Sequence, residues 1–303
     1  MTPRGVLAYA GGIHASAAIH WLIDTHGVEV VTVTLDVGQG QDLANLRARA
    51  LACGAIRAHV IDAKDEFARD IILPSLHRPS TTRELVAGLA GLPRPLIARK
   101  LAEIAAIEGT RVVAHGARDA ALDAQLHAID AALQVIAPAR EWTMDAADLV
   151  RYARARNLPI QPPMETRCRI DQHLWGRSVA WTGDEEPAVV RAGVASRQLS
   201  DAALVDIHFD RGCPTSINGV TMSPSELIES LALIAGQHGI GRVDEAIVGS
   251  EHLVYDGPAA VVLHAAARAA RDVANADVCL RLLNGEYTVL TPEDRHSLLV
   301  HHA

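Results

Sequence analysis

Lysine is nearly missing from this 303-residue chain: of its 28 basic residues only Lys64 and Lys100 are lysine, and the rest are arginine. With the abundance of alanine, this points to a GC-rich coding bias, a genomic signal and not a functional one. Positive charge is also outweighed. The formal net charge of -8 argues against a broad nucleic-acid-binding surface, though not against a local basic pocket. Cysteine is sparse, and Cys53, Cys168, Cys213 and Cys279 lie far apart with no C-x-x-C pair, unlike a zinc site or a disulfide framework. His127 and His173 have no metal-ligand spacing with their neighbours, so no metal site is expected. No charged segment followed by an apolar one opens the chain, and no window approaches about 18 uninterrupted apolar residues. The expectation is a cytoplasmic, reduced protein without a membrane or nucleic-acid partner.

What is present is a hydrophobic fraction of 49%, enough to bury the core of one large or two ordinary domains. The first half alternates strand and helix. "GVLAYA" is a short apolar run suited to a strand buried on both faces, and "HASAAIHWLIDTHG" carries helical spacing up to Gly27. "VEVVTVTLDV", "IRAHVID", "TRVVAHG" and "LQVIAPA" read as further strands. "DLANLRARALACG" and "RPLIARKLAEIAAIEG" read as helices, the second with Glu103 and Glu108 on its polar side. Repeated strand-helix units predict a parallel sheet covered by helices on both faces. Ligands of such sheets sit at the carboxyl ends of the strands.

The texture changes after about residue 160. "NLPIQPPMETRC" suits a domain joint, which predicts an α/β domain over 1–163 and a smaller α+β domain over 164–303. "ALVDIHFDRGCPTSINGVTMS" reads as a hairpin turning at Asn218-Gly219, and "DVCLRLLNGEYTVLT" as another turning at Asn284-Gly285. Ser223, Pro224 and Glu226 form a capping-box start to a helix.

The stretch "VLAYAGGIHASAAIHWL" has the outline of a phosphate-gripping turn: strand, Gly-Gly pair, helix. Taken with "VVTVTLDVGQGQDL", "VIDAKDEFARDIILPSL", "RPLIARKLAEIA", "VIAPARE", "IDQHLWGRS", "INGVTMSPSELI" and "GQHGIGRVD", in order along nearly the whole chain, it resembles the argininosuccinate synthetase family. The resemblance implies an adenine-nucleotide hydrolase-like (PP-loop) parallel-sheet domain followed by a synthetase-type domain. It also implies ATP with Mg as cofactor, and activation of the citrulline ureido oxygen for attack by aspartate, with release of pyrophosphate.

The chain departs from that family's motifs. Where members read A-Y-S-G-G-L-D-T-S, it keeps Gly11, Gly12 and Ser16 but carries Ala10, His14 and Ala15. Candidate nucleotide or anion contacts, by position, are Ala8, Ala10, Gly11, Gly12, His14, Ser16, Arg94, His115 and Gly116. His14 is the one candidate acid or base, with an exposed histidine at a relaxed position as the alternative. Family positions that receive substrate fall at Thr82, Ala90, Gly91, Ala120, Leu122 and Leu126, and alanine or leucine cannot receive a carboxylate. Arg118 and Arg169 are gained cations that either recognise an anion or pair with Asp119 and Asp171. With Asp123, Tyr255 and Asp256 they are the candidate substrate contacts; Tyr255-Asp256 could equally serve a turn.

A small-molecule ligand is expected. The long helical part that follows in the family is largely absent, which puts the family's tetramer in question and leaves a homo-oligomer or a hetero-complex open. Two functional classes follow. One is a repurposed enzyme of specialised metabolism acting on a small anionic or amino-acid-derived substrate. The other is a non-catalytic homologue that binds a ligand or regulates a partner enzyme. Weak ATP-dependent, AMP-forming ligation is third.

Overall fold

The computed structural model describes residues 2–77, 91–159, 168–191, 201–248, 251–271 and 273–294. These fall into two compact units. The first comprises residues 1–36, 40–63 and 93–165, the second 37–39, 64–92 and 166–303.

In the first unit, β1 (Arg4–Ala8), β2 (Glu29–Asp36), β3 (Arg57–Asp62), β4 (Val112–Ala114) and β5 (Gln134–Ile136) form a parallel sheet in the order β3-β2-β1-β4-β5. Alternate residues of β1 and β2 serve opposite faces. Leu7 and Val30 pack with Ile19, Leu22, Leu46 and Ala50 from the helices Ile13–His26 and Leu43–Ala52. Val6 and Val31 pack with Ala98, Leu101 and Leu126 from the helices Arg94–Ile107 and Ala121–Ile129. A largely apolar run, β-branched in β2, is what two covered faces require. Helix ends follow the predicted signals: Gly27 takes φ 64 and donates its N–H to the Ile23 carbonyl at 3.1 Å.

Strand order places the site. β1 lies between β2 and β4, so the connections leaving the two sides of β1 diverge and open a crevice at the carboxyl ends of β1 and β4. At the opposite edge, one expectation is corrected. Glu103 is exposed as predicted, with Lys100 Nζ at 3.0 Å, but Glu108 is buried. Its carboxylate accepts from Arg4 Nη1 at 3.1 Å and from Arg57, and His59 Nε2 lies 3.3 Å away. Cations from β1 and β3 draw this residue off the helix's polar face.

The second unit holds two antiparallel sheets. β10 (Val220–Thr221), β9 (Cys213–Ile217), β8 (Ala203–Asp210), β13 (Asn275–Leu283) and β14 (Glu286–Leu290) form one, in that order. β11 (Arg242–Val248), β12 (Glu251–Asp256), β7 (Gly176–Thr182) and β6 (Cys168–His173) form the other. Asn218-Gly219 and Asn284-Gly285 turn as predicted, with φ 50 and 79 and φ 49 and 81. The single predicted hairpin is a three-strand meander, because Arg211-Gly212 makes a further turn at φ 48 and 77. The helix Pro224–Gln237 carries the predicted capping box of Ser223 and Glu226. Asp65, at the start of a helical run, accepts from Ser225 N at 3.1 Å and adds a second carboxylate to that helix start. Within the run, Ala68–Ile72 is π-helical just before Pro74, whose ring and missing N–H obstruct a normal α turn. Of the proline-rich joint, residues 160–167 lie outside the described residues, as do Thr82 and Ala90.

Candidate anion site

The loop after β1 is anchored before it is functional. Tyr9 N donates to Val33 O at 2.9 Å, and Thr34 Oγ1 donates to Tyr9 O at 2.8 Å. Ala8 closes the strand half-buried, and Ala10 is exposed. Gly11 stands at φ 77, where a Cβ would lie 2.0 Å from Leu46 Cδ2, and its carbonyl accepts from Arg49 Nη1 at 2.9 Å. Glycine is therefore favoured there by the fold alone.

Gly12 differs. It sits at φ -72, is exposed, and a Cβ on it would meet nothing within 4 Å. It is the N-cap of the helix Ile13–His26, whose first turn has neither a side-chain cap nor an acidic residue. Orphan N–H groups and the positive end of the dipole are thus presented to solvent. Ser16 does not complete this mouth: it is fully buried, its Oγ 3.1 Å from Tyr9 OH, facing the Cys53 thiol. Burial pushes the Tyr9 phenol and the Cys53 thiol up, so both keep their protons.

The loop after β4 is tied at several points. His115 is buried, its Nδ1 accepting from Ala117 N at 3.2 Å, so Nε2 carries the proton and donates to Asp123 Oδ1 at 2.8 Å. Burial holds His115 below the usual imidazole range although Asp123 opposes the shift. Arg140 Nη2 donates to Asp123 Oδ2 at 2.5 Å and Nη1 to Asp119 O at 3.1 Å. Burial raises the Asp123 carboxyl, but the bonds from Arg140 and His115 outweigh it and bring the pKa below the ordinary value. Asp119 is bound two-pronged by Arg94, at 2.9 and 3.3 Å, and accepts from Ala121 N at 3.0 Å.

Gly116 and Arg118 lie between these ties. Gly116 is exposed, lies outside the left-handed region and has nothing within 4 Å of a Cβ. Arg118 is exposed and, among the described residues, has no ion pair; the carboxylate beside it, Asp119, belongs to Arg94. Across the crevice His14 is exposed too. Partial desolvation, then the Arg118 cation, lowers its pKa, so a neutral imidazole and a guanidinium flank the mouth. The His14 ring centroid lies 6.3 Å from that of Trp142.

The remaining candidates belong to the second unit. Arg169, on β6, faces Asp171 at 3.6 Å with both side chains largely exposed. Tyr255 and Asp256 are buried on β12, not in a turn, and Asp256 Oδ2 pairs with Arg177 Nη2 at 2.7 Å. Sequence reasoning missed Arg49, Arg140 and Arg177. Their partners are brought by distant elements, which the sequence around each arginine does not show. Among the described residues, no helix is long and apolar enough to cross a membrane.

Comparison with known proteins gives two domain matches. Residues 4–159 match the arginosuccinate synthase N-terminal HUP domain, and residues 169–285 match the arginosuccinate synthase C-terminal domain. An argininosuccinate synthase of Listeria welshimeri is 38% identical over 274 residues, covering 85% of this chain and 68% of that protein. That of Anoxybacillus flavithermus is 37% identical over 277 residues, covering 86% of this chain and 69% of that protein. The solved NMN synthetase of Francisella tularensis overlaps 52% of this chain and 63% of its own at 17% identity, with a TM-score of 0.37, too slight a likeness to bear on the site.

Proposed function

The chain belongs to the argininosuccinate synthase family, and from that premise we propose that it keeps the family's anion-binding crevice but uses it on a different small substrate. One observation carries this. Gly12 and Gly116, at the carboxyl ends of adjacent strands, are glycines that neither φ nor any neighbour demands, and Arg118 and His14 flank them. Glycine at such positions suits close approach of a ligand to the backbone. Phosphates of ATP with Mg would lie against the N–H groups of residues 12–15, with Gly116 and Arg118 opposite. Bound there, ATP would supply an adenylyl group, with pyrophosphate as the leaving group. His14, neutral and exposed, is the chain's own candidate to accept a proton at the mouth.

The family's amino-acid contacts are what this reading takes to be replaced. Leu122 and Leu126 are buried in the core with Leu101 and Val113 and line no polar site. Both oxygens of Asp123 are engaged by His115 and Arg140, and Arg94 is engaged by Asp119. The hydroxyls at Ala10 and Ala15 are gone, each worth about 0.5–1.5 kcal/mol and more toward a charged phosphate. The substrate is therefore taken to be small and anionic or amino-acid-derived, in specialised metabolism and in the cytoplasm. The two domains are assigned to 1–163 and 164–303. A non-catalytic ligand-binding or regulatory homologue is the second reading, favoured by the inward-facing Ser16.

Purified protein given Mg, ATP, citrulline and aspartate should release pyrophosphate only at background, and robust turnover overturns the proposed change of substrate. Calorimetry with Mg and ATP then separates the classes. Binding supports an ATP-using enzyme, while its absence moves the assignment to an ATP-independent protein.

A further inference from the structure

Arg118 is useful to an anion only if the loop that carries it stands still, because ordering a flexible arginine on binding costs affinity. Four ties hold that loop. Ala117 N is bonded to His115 Nδ1, Asp119 O to Arg140, the Asp119 carboxylate to Arg94, and Ala121 N to that same carboxylate. One of the four runs directly to Arg140, and a second, at His115, depends on Arg140 through Asp123. Arg140 donates one guanidinium nitrogen directly to Asp119 O at 3.1 Å and the other to Asp123 Oδ2 at 2.5 Å. Asp123 in turn accepts from His115 Nε2, which fixes the tautomer that leaves Nδ1 free to accept from Ala117 N. The untied members of the loop, Gly116 and Arg118, alternate with the tied ones and lie exposed.

We propose that Arg140 is a positioning residue of the anion site, acting through Asp123 and His115 to hold the 115–121 loop so that Arg118 meets the ligand. Arg140 spends both arms of its guanidinium on the scaffold. A lysine has one nitrogen and cannot bridge the Asp119 carbonyl and the Asp123 carboxylate in the same geometry. The inference rests on the anion reading above, so its test includes a variant that reports on that reading alone.

The probe is inorganic pyrophosphate, titrated calorimetrically into the full chain, with Arg118→Ala, Arg140→Ala, Arg140→Lys and the Arg118→Ala/Arg140→Ala pair. Arg118→Ala is expected to weaken binding by about tenfold or more. Arg140→Ala is expected to weaken it by about three- to tenfold, Arg140→Lys by less, and the pair no further than Arg118→Ala alone. Such non-additivity is the mark of a residue that works through another and not through general stability. Amide hydrogen exchange over 115–121 should rise in Arg140→Ala while β1 and β2 remain protected. If Arg140→Ala binds like the parent, or its effect adds fully to that of Arg118→Ala, the positioning role is overturned and the anion site stands. If the parent protein does not bind pyrophosphate, or Arg118→Ala binds as well as the parent, the anion reading falls and takes the role with it. Should Arg140→Ala fail to fold, Asp123→Asn takes its place, with the same expected loss and the same overturning results.

Discussion

Gly11 and Gly12 are neighbours of the same residue type with opposite reasons for being there. Gly11→Ala would combine a left-handed conformation, about 1–2 kcal/mol, with a collision against Leu46, about 1–3 kcal/mol. A loss of roughly 2–5 kcal/mol in urea unfolding is expected from those terms. Gly12→Ala meets no atom and needs no unusual φ, so its cost should stay within about 1 kcal/mol, that of an N-cap alanine. Its effect should fall instead on pyrophosphate affinity; an unaltered affinity would count against the crevice as the binding place. The Gly-Gly pair is visible in the sequence, but the distinction is not, because Leu46 and Arg49 arrive from the next helix. The inward turn of Ser16 was hidden for a similar reason: its partner, Tyr9, follows β1 directly and is held in place by Val33 and Thr34 of β2.

At the scale of elements, the Glu108 cluster fastens the end of one helix to the starting edge of β1 and the body of β3. Burial by itself would raise the Glu108 carboxyl, yet Arg57, His59 and Arg4 bring it below its ordinary value. Glu108→Gln would leave three cationic or ionisable groups converging on a neutral amide. Two of the partners are a third to a half exposed, at 33% and 51%, so solvent softens the penalty. Guanidinium unfolding should show a loss of about 1–3 kcal/mol, below the range for a fully buried pair. This contact was illegible from the helix pattern, which put Glu108 on a polar face, since the cations come from strands about 50 and 100 residues away. Local signals were read well where the chemistry is local. Gly27, the capping box at Ser223 and the two Asn-Gly turns show it. The Arg211-Gly212 turn carries no asparagine to announce it, and β6, mostly exposed along its length, alternates only from Cys168 to Asp171.

For the whole molecule, the histidines set the expected acid response. His115 and His264 are buried with pKa values below 6.5, in each through burial first; His264 is pushed further by Arg268 and Arg271. The unfolded chain therefore takes up protons before the folded one. Stability should be full above about pH 6.5 and fall as pH drops from there toward the folded values, by up to about 1.4 kcal/mol per pH unit for each group. A second decline belongs lower, below the unfolded carboxylate values of 4.5 for Glu108 and 3.8 for Asp123, whose folded pKa values are both depressed. Chemical denaturation across that range should show both slopes, and His115→Gln should flatten the first; a flat profile between pH 6.5 and the carboxylate range would contradict the assigned neutral His115.

The crevice between β1 and β4 comes from strand order. That makes it a durable feature: residues at its rim can change while the strand order that opens it stays the same. Refitting is not symmetric, however. A hydroxyl placed at Ala10 meets an exposed position and displaces nothing, whereas recruiting Ser16 means pulling an oxygen out of a packed interior and stranding Tyr9 without its partner. A designer seeking to alter ligand binding on this scaffold would start at the rim and leave the floor alone.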